Sequence, residues 1–309
     1  MNKLLIVGTV AFDAIETPFG KTDKIIGGSA PYIALSASKF NVQSAIISIV
    51  GDDFPEENLK FFQSNNINTS AIEIISGGKT FFWSGRYHKD MNTRDTITTD
   101  LNVLEKFNPI IPEEYKKTSV VVLGNLAPAS QSEVISQLLN PEALIVLDTM
   151  NFWMDNAMDE LLKVLKKVDV ITINEEEARQ LTGENSVVLA ARKIYKMGPR
   201  FVVIKKGEHG VLLFNDENIF SAPAFPLEKV FDPTGAGDTF AGGFAGFLTK
   251  TNDFSFENMK LAVIYGSAMA SFSVQKFGPE RLFNLEAKEI KNRIKAFRNL
   301  TQFQIEFTP

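Results

Sequence analysis

Residues Asp232–Leu248, DPTGAGDTFAGGFAGFL, gather the side chains and bare backbone best suited to chemistry. Pro233 and Gly235 punctuate a turn, and from Gly237 onward small and apolar residues recur with helical spacing. A Gly-rich loop that opens a helix presents unpaired backbone N–H groups at the positive end of the helix dipole. Gly235, Ala236 and Gly237 carry almost no side chain, so an anion can lie directly against that backbone. Such a hole suits a phosphate in transfer or another oxyanion. Asp238 stands beside it. A carboxylate next to a bound phosphate is repelled, so its placement needs a purpose. Accepting the proton of an attacking hydroxyl is one, as general bases do in phosphoryl transfer. A first-turn Asp can also merely complement the helix dipole, which is worth ~0.3–1 kcal/mol. Asp232 upstream and the small-residue helix behind the loop favour chemistry. Within that helix the spacing of Gly242 and Gly246 predicts close packing in a soluble core rather than membrane dimerisation.

The elements that must position this loop appear as an alternation. Lys3–Val7, Ala45–Val50, Ser119–Leu123, Leu144–Leu147, Val170–Ile173 and Phe201–Ile204 are short β-branched runs that predict buried strands. Between them Ala30–Phe40, Pro55–Asn65, Ser130–Leu139, Met158–Lys166, Glu175–Leu181 and Val187–Met197 carry helical spacing. Strands separated by helices of this length imply βαβ units and an α/β fold, with a mostly parallel sheet covered on both faces. No internal repeat or low-complexity linker divides the chain, so residues 1–309 are expected to form one domain.

Two segments break the alternation, residues 10–26 and 80–101. Both are strand-like, rich in Phe, Thr and Ile, and too polar on one side for core. They predict a small antiparallel sheet inserted into the main domain as a lid. The second contains FFWSGRYHKDMNTRDTITTD, where aromatics mix with Arg86 and Arg94. An isolated small sheet is marginal in water, so a homodimer through the lid is expected.

Composition removes other classes. A 44% hydrophobic chain with 26 Phe is neither disordered nor fibrous. Thirty-two Lys+Arg against 37 Asp+Glu, a net charge of −5, argues against nucleic acid as a partner. The absence of cysteine excludes disulfides, a thiolate nucleophile and Cys-zinc sites, and fits a cytoplasmic location. MNKLLIVGTVAF mimics a signal peptide, but Gly8 and Thr9 interrupt its apolar run and Asp13 follows, so a buried first strand is expected. The uncharged Leu261–Gln275 stretch is shorter than the ~20 apolar residues a membrane span needs, and no membrane partner is expected.

In their order along the chain, these motifs resemble the ribokinase-like (PfkB-type) carbohydrate and nucleoside kinases. GTVAFD is similar to the family's first strand and loop, whose Asp, here Asp13, binds substrate hydroxyls. IGGSAPYIALSASKF resembles the segment that closes on the sugar and then enters a helix, placing Gly27 and Gly28 at the substrate. NEEE is similar to the family's Asn-x-x-Glu, which puts Asn174 at the nucleotide and Glu177 in a magnesium network through water. KKGEHG resembles the turn beside the nucleotide and implicates Lys205, Gly207 and Gly210. DPTGAGD is the most specific match and makes Gly235, Ala236 and Gly237 the anion hole and Asp238 the catalytic base. The resemblance implies a three-layer α/β/α ribokinase-like fold with a small inserted β-sheet lid. It also implies ATP as the γ-phosphate donor and Mg²⁺; some members use K⁺ near the residues matching Asp232 and Thr234. The expected acceptor is a hydroxyl, a primary one, of a sugar or sugar derivative.

One position departs from the pattern. Many sugar kinases of the family carry an Asn where Tyr32 stands. An amide both donates and accepts, whereas a phenol brings one hydroxyl and a large ring. Tyr32, with Phe81, Trp83 and Tyr87 of the lid, is therefore a candidate to stack on a base or sugar face, which supports a nucleoside kinase as the alternative. A non-catalytic sugar- or nucleotide-sensing protein is a second alternative, weakened by the intact Asp238. NEEEA can also simply cap a helix. Gly77–Thr80 imitates the end of a P-loop, but Glu73 stands where its leading Gly belongs, so a turn is expected. His88 and His209 lack metal-ligand spacing, and Gly183 reads as a helix C-cap.

Overall fold

The structure, a computed structural model, describes residues 3–302. From edge to edge its main sheet runs Ile219–Ala222, Val211–Phe214, Phe201–Lys205, Val170–Asn174, Leu144–Asp148, Val120–Leu123, Lys3–Val7, Gln43–Gly51 and Ile67–Ile75. Every pairing from Ile67–Ile75 through to Phe201–Lys205 is parallel, and the last two strands fold back as an antiparallel edge. Successive side chains of a strand point to opposite faces. Leu4 and Ile6 thus enter one core with Ile33, Phe240, Phe244 and Met259, while Leu5 and Val7 enter the other with Val134, Leu161, Ala178 and Ile194. Each such fully buried aliphatic or aromatic side chain is worth ~1.5–3 kcal/mol, and the need to cover both faces dictates the three layers.

The expected strands and helices are all present, with ends displaced by a few residues; the first helix, for example, spans Ser29–Ser38. Strand Ile67–Ile75 escapes a reading of periodicity because it is an edge, with polar residues interrupting its buried ones. Helix Phe256–Ser273 escapes because it is buried on several sides at once and shows little amphipathic stripe.

A second sheet of five strands forms the lid, in the order Gly20–Lys21, Ala11–Thr17, Phe81–Tyr87, Arg94–Asp100, with Ile25–Gly27 also paired to Ala11–Thr17. The expectation of an all-antiparallel lid needs correction, because Ala11–Thr17 and Phe81–Tyr87 pair in parallel. They leave the same end of two parallel strands of the main sheet, Lys3–Val7 and Ile67–Ile75, and so run in the same sense. The first lid segment is also less polar than expected, since Val10, Ala11, Phe12 and Ile15 are all buried.

Helix Ala236–Thr251 lies against helix Ser29–Ser38, and glycine makes the contact. A methyl group at Gly242 would fall 2.2 Å from the Ile33 carbonyl oxygen, and one at Gly246 2.9 Å from the Ala37 Cα. Ser36 Oγ donates to the Thr239 carbonyl at 2.7 Å. The four-residue glycine spacing therefore serves packing inside the α/β layers, and it brings the N-termini of the two helices together.

Candidate active site

In open parallel sheets ligands settle outside the carboxyl ends of the strands. Three neighbouring strands end there in Asp148, Asn174 and Lys205. Lys205 Nζ is 3.2 Å from Asp148 Oδ1, which also accepts from Thr172 Oγ1 at 3.3 Å. Asn174 caps the next helix reciprocally: its Oδ1 accepts from Glu177 N–H at 2.8 Å, and Glu177 Oε2 accepts from Asn174 N–H at 3.0 Å. The capping reading of NEEE thus holds in geometry, and the cap is also what aims Glu177 inward. Burial pushes the Glu177 carboxyl up to about 7, with Asp148 adding to the rise and Lys205 and Arg94 opposing it. For Lys205, burial pulls the ammonium down, but Asp148, Glu177 and Asp238 together outweigh it and hold the pKa above its ordinary value.

The loop at Asp232–Asp238 completes this wall. Asp232 Oδ1 accepts from Thr234 N–H at 2.9 Å and Oδ2 from Gly278 N–H at 2.8 Å, so a buried carboxylate ties the loop down. Gly235 turns the chain with φ 69°, a left-handed conformation that glycine adopts without strain. Helix Ala236–Thr251 then begins with no side chain capping it, which leaves its N–H groups for a ligand. A methyl at Gly237 would lie 3.0 Å from Lys205 Nζ, so the ammonium adjoins the open helix end. Asp238, half-buried, has its carboxyl pushed up to about 7. Withdrawal from water is the first cause and the charges of Asp148 and Glu177 add to it, while Lys205 and Arg94 pull the other way. A carboxyl poised there suits a general base near neutral pH.

On the opposite side lie the residues expected to meet the acceptor. A methyl at Gly27 would fall 2.0 Å from Asp13 Cγ, so only glycine lets that carboxyl pack where it does. Gly28, at φ 82°, opens helix Ser29–Ser38 and its N–H donates to Asp13. Burial pushes Asp13 up to about 7, and the charges of Asp232 and Asp238 contribute, which places all three acids around one space. Tyr32 is 1% exposed, its ring directly under Gly235, and its hydroxyl has no hydrogen-bond partner among the described residues. It therefore supports the Gly235 turn and offers no open face for stacking. Tyr87 is buried as well, and its hydroxyl accepts from Thr234 Oγ1 at 3.2 Å, so the small sheet touches the Asp232–Asp238 loop. Trp83 and Phe81 remain half-buried on the lid.

Contacts and charges thus link Asp13, Gly27, Gly28, Tyr32, Asn174, Glu177, Lys205, Asp232, Thr234, Gly235, Ala236, Gly237 and Asp238 into one neighbourhood. Gly207 and Gly210, at φ 54° and 92°, shape the turn after the Lys205 strand. Asp148 was missed. Its only signal is an acid closing an otherwise apolar run, LIVLD, at a strand's carboxyl end. Thr80 of the P-loop imitation hydrogen-bonds Asp53 in a turn before a strand, as expected. His88 Nε2 lies 2.9 Å from Asp95 Oδ2 on the lid, and Gly183 ends its helix at φ 73°.

Three carboxyls near 7 in the folded chain but near 4 when unfolded link stability to pH. The folded protein keeps protons that the unfolded chain has released, so their contribution is full below about pH 4 and is lost as pH rises through about 7. In melting experiments without ligand, Asp238→Asn is expected to match wild type near pH 5 and to melt higher at pH 8. Equal melting temperatures at pH 8 would show that this carboxylate is not penalised by its surroundings.

Comparisons with known proteins give the chain its relatives. Residues 1–284 match the profile of the pfkB family carbohydrate kinases. The chain is 32% identical over 248 residues to a cytidine kinase of Thermococcus kodakarensis, covering 79% of this chain and 87% of the relative. It is 27% identical over 293 residues to a ribokinase of Lactococcus lactis, covering 91% and 93%. The Methanocaldococcus jannaschii nucleoside kinase superposes with a TM-score of 0.78 at 22% identity, covering 96% of this chain and 99% of that one. A putative ribokinase II from E. coli in complex with ATP and Mg²⁺ superposes with a TM-score of 0.80 at 19% identity, covering 96% and 100%. At these identities the two structures bear on the fold alone. Among the described residues no helix is long and apolar enough to cross a membrane.

Proposed function

The chain belongs to the pfkB family of carbohydrate kinases, phosphotransferases with hydroxyl acceptors, and from that premise we propose that ATP is its donor and Asp238 its general base. Asp13 and the N–H groups at Gly27–Gly28 orient the acceptor. Asp238 takes the hydroxyl proton as the oxygen attacks the γ-phosphorus, and the N–H groups of Gly235–Gly237 with Lys205 receive the developing charge. Asn174, Gly207 and Gly210 border the nucleotide. The observation that carries this reading is a carboxyl poised near 7 at the mouth of an uncapped helix beside an ammonium.

Magnesium fits this wall. It keeps several waters and takes one or two carboxylates together with substrate phosphates. Glu177 and Asp148 supply such carboxylates, and among the described residues no group of three or more acidic, His or Cys side chains forms a direct cage. When bound, the ion would offset phosphate charge. Potassium is less well provided for, because both oxygens of Asp232 already accept an amide N–H, and the proposed reaction does not use it.

The acceptor is a sugar, free or within a nucleoside. The cytidine kinase relative favours the nucleoside. Coupled ADP-release measurements with ATP, Mg²⁺ and a panel of pentoses, hexoses and nucleosides test this, and turnover of a nucleoside is expected. Turnover of simple sugars alone would remove the nucleoside reading. No ADP release with any acceptor, despite ligand-induced thermal shifts, would make the protein a sensor.

A further inference from the structure

The end of the main sheet opposite the candidate active site holds a cavity of about 560 Å³. It lies at the amino ends of two neighbouring parallel strands, Gln43–Gly51 and Ile67–Ile75. At ~3.3 Å per residue the two ends of the nine-residue strand Gln43–Gly51 are roughly 25 Å apart. Nothing in the proposed reaction uses this end.

Two similar stretches build the wall. Asn41-Val42-Gln43-Ser44 and Asn66-Ile67-Asn68-Thr69 each carry the chain from a helix into one of these strands. In both, an Asn turns the backbone through the left-handed region, at φ 57° and 60°, which Asn tolerates better than most residues. A buried Val42 or Ile67 then pins the turn to the core, and a carboxamide follows. With Gln63 from the intervening helix, five carboxamides meet at the cavity: Asn41, Gln43, Gln63, Asn66 and Asn68. Asn68 is held, its Nδ2 donating to Tyr115 Oη at 3.0 Å and its Oδ1 accepting from Ser70 N–H at 2.8 Å. Gln63 Nε2 donates to Thr69 Oγ1 at 2.8 Å. Among the described residues the side chains of Asn41, Gln43 and Asn66 make no hydrogen bond. Ser44 is the most buried polar residue of the wall, 1% exposed, and its Oγ has no hydrogen-bond partner among the described residues. A buried hydroxyl without a partner costs stability, and alanine would fill nearly the same space without that cost.

The lining selects the ligand. No charged side chain lines the cavity, so nothing there offsets the burial of a charge. The ammonium of Lys3 is engaged elsewhere, 4.9 Å from the centroid of the Tyr115 ring and donating to the Glu114 carbonyl. Tyr115 supplies the one ring of the lining among the described residues, and it is buried, so a flat base finds no face to stack on. Carboxamides both donate and accept, which matches hydroxyl groups that do the same. The volume falls within the ~300–1,000 Å³ of small-molecule sites.

We propose that this cavity is a second ligand site, for a neutral polyhydroxylated molecule of the sugar class. The Asn and Gln side chains read its hydroxyls, and Ser44 makes the innermost contact. Ser44 Oγ is out of reach of water in the free chain, so the side chains in front of it turn aside as the ligand enters. The site is separate from the acceptor's and does not rest on the kinase reading.

The test uses the full chain, labelled with ¹⁵N and without nucleotide, so that nothing turns over. D-glucose should shift the amide signals of residues 41–44 and 66–70 and saturate below about 10 mM. Gln43→Leu, at an exposed position, should weaken that binding ~3–10-fold, the loss of one net hydrogen bond. Ser44→Ala should weaken it by a similar factor yet melt no lower than wild type without sugar. Cytidine and glucose 6-phosphate should leave these signals in place at the same concentration. Shifts that never saturate overturn the proposal, as do shifts confined to the loops at Asp13 and Asp238. Unchanged glucose binding in both variants overturns it too. Ser44→Ala melting below wild type would show that the free chain already uses the hydroxyl, against its assignment to a ligand. Cytidine moving these signals more than glucose would put a planar base in place of the polyol. Glucose 6-phosphate binding as tightly as glucose would end the requirement for a neutral ligand.

Discussion

Replacing Asp238 with Asn lowers kcat by ~10²–10⁴-fold, the range of a general base, while nucleotide and acceptor bind within a few fold of wild type. The amide has nearly the shape of the carboxyl and leaves the helix N-terminus and Lys205 where they are. What it loses is the capacity to take a proton. Removing a negative charge beside the phosphates also relieves repulsion, so ATP binding is expected to hold or tighten. In wild type kcat/KM should climb with pH and level off above about 7, following the raised carboxyl, and the variant should lose that limb. Steady-state rates across pH, with calorimetric titration of nucleotide and acceptor, test both parts. A kcat within threefold of wild type would remove Asp238 from the base role.

The second large effect comes from a residue with no side chain. Gly235→Ala places a Cβ at φ 69°, which costs an L-residue ~1–2 kcal/mol, and drives it to 2.5 Å from the Tyr32 ring. Tyr32 is enclosed on all sides and cannot step aside, so the loop must move. Displacing even one N–H of an oxyanion site costs ~10²–10³-fold in kcat. Gly77→Ala provides the control, because Gly77 has φ 70° but nothing within 4 Å of the added methyl. Both variants should melt lower than wild type, and only Gly235→Ala should lose turnover. Comparable kcat values in the two would show that the anion loop tolerates movement and that its geometry is not what limits the reaction.

Much of this is legible in the sequence. The alternation of β-branched runs with helical spacing is a local property, because a strand buried on both faces must be apolar and its connecting helices must be amphipathic. The DPTGAGD loop was legible for a similar reason: turn, bare backbone and helix start are consecutive in the chain. Edges were harder. Ile67–Ile75 is half solvated, and the parallel pairing of Ala11–Thr17 with Phe81–Tyr87 follows from which end of the main sheet each strand leaves. No local pattern encodes that.

Residue types along the chain determined the layers, the anion loop and the identity of the acid beside it, since each depends on neighbours within a few positions. Tertiary structure decided the rest. Tyr32 became a buried support under Gly235 instead of a stacking platform, and Asp148 became the partner of Lys205. Arg94 came within electrostatic reach of Asp238 from more than a hundred residues away. Charge acts through space, and the distance that sets a carboxyl's proton affinity exists only once the sheet, the two glycine-packed helices and the lid have met.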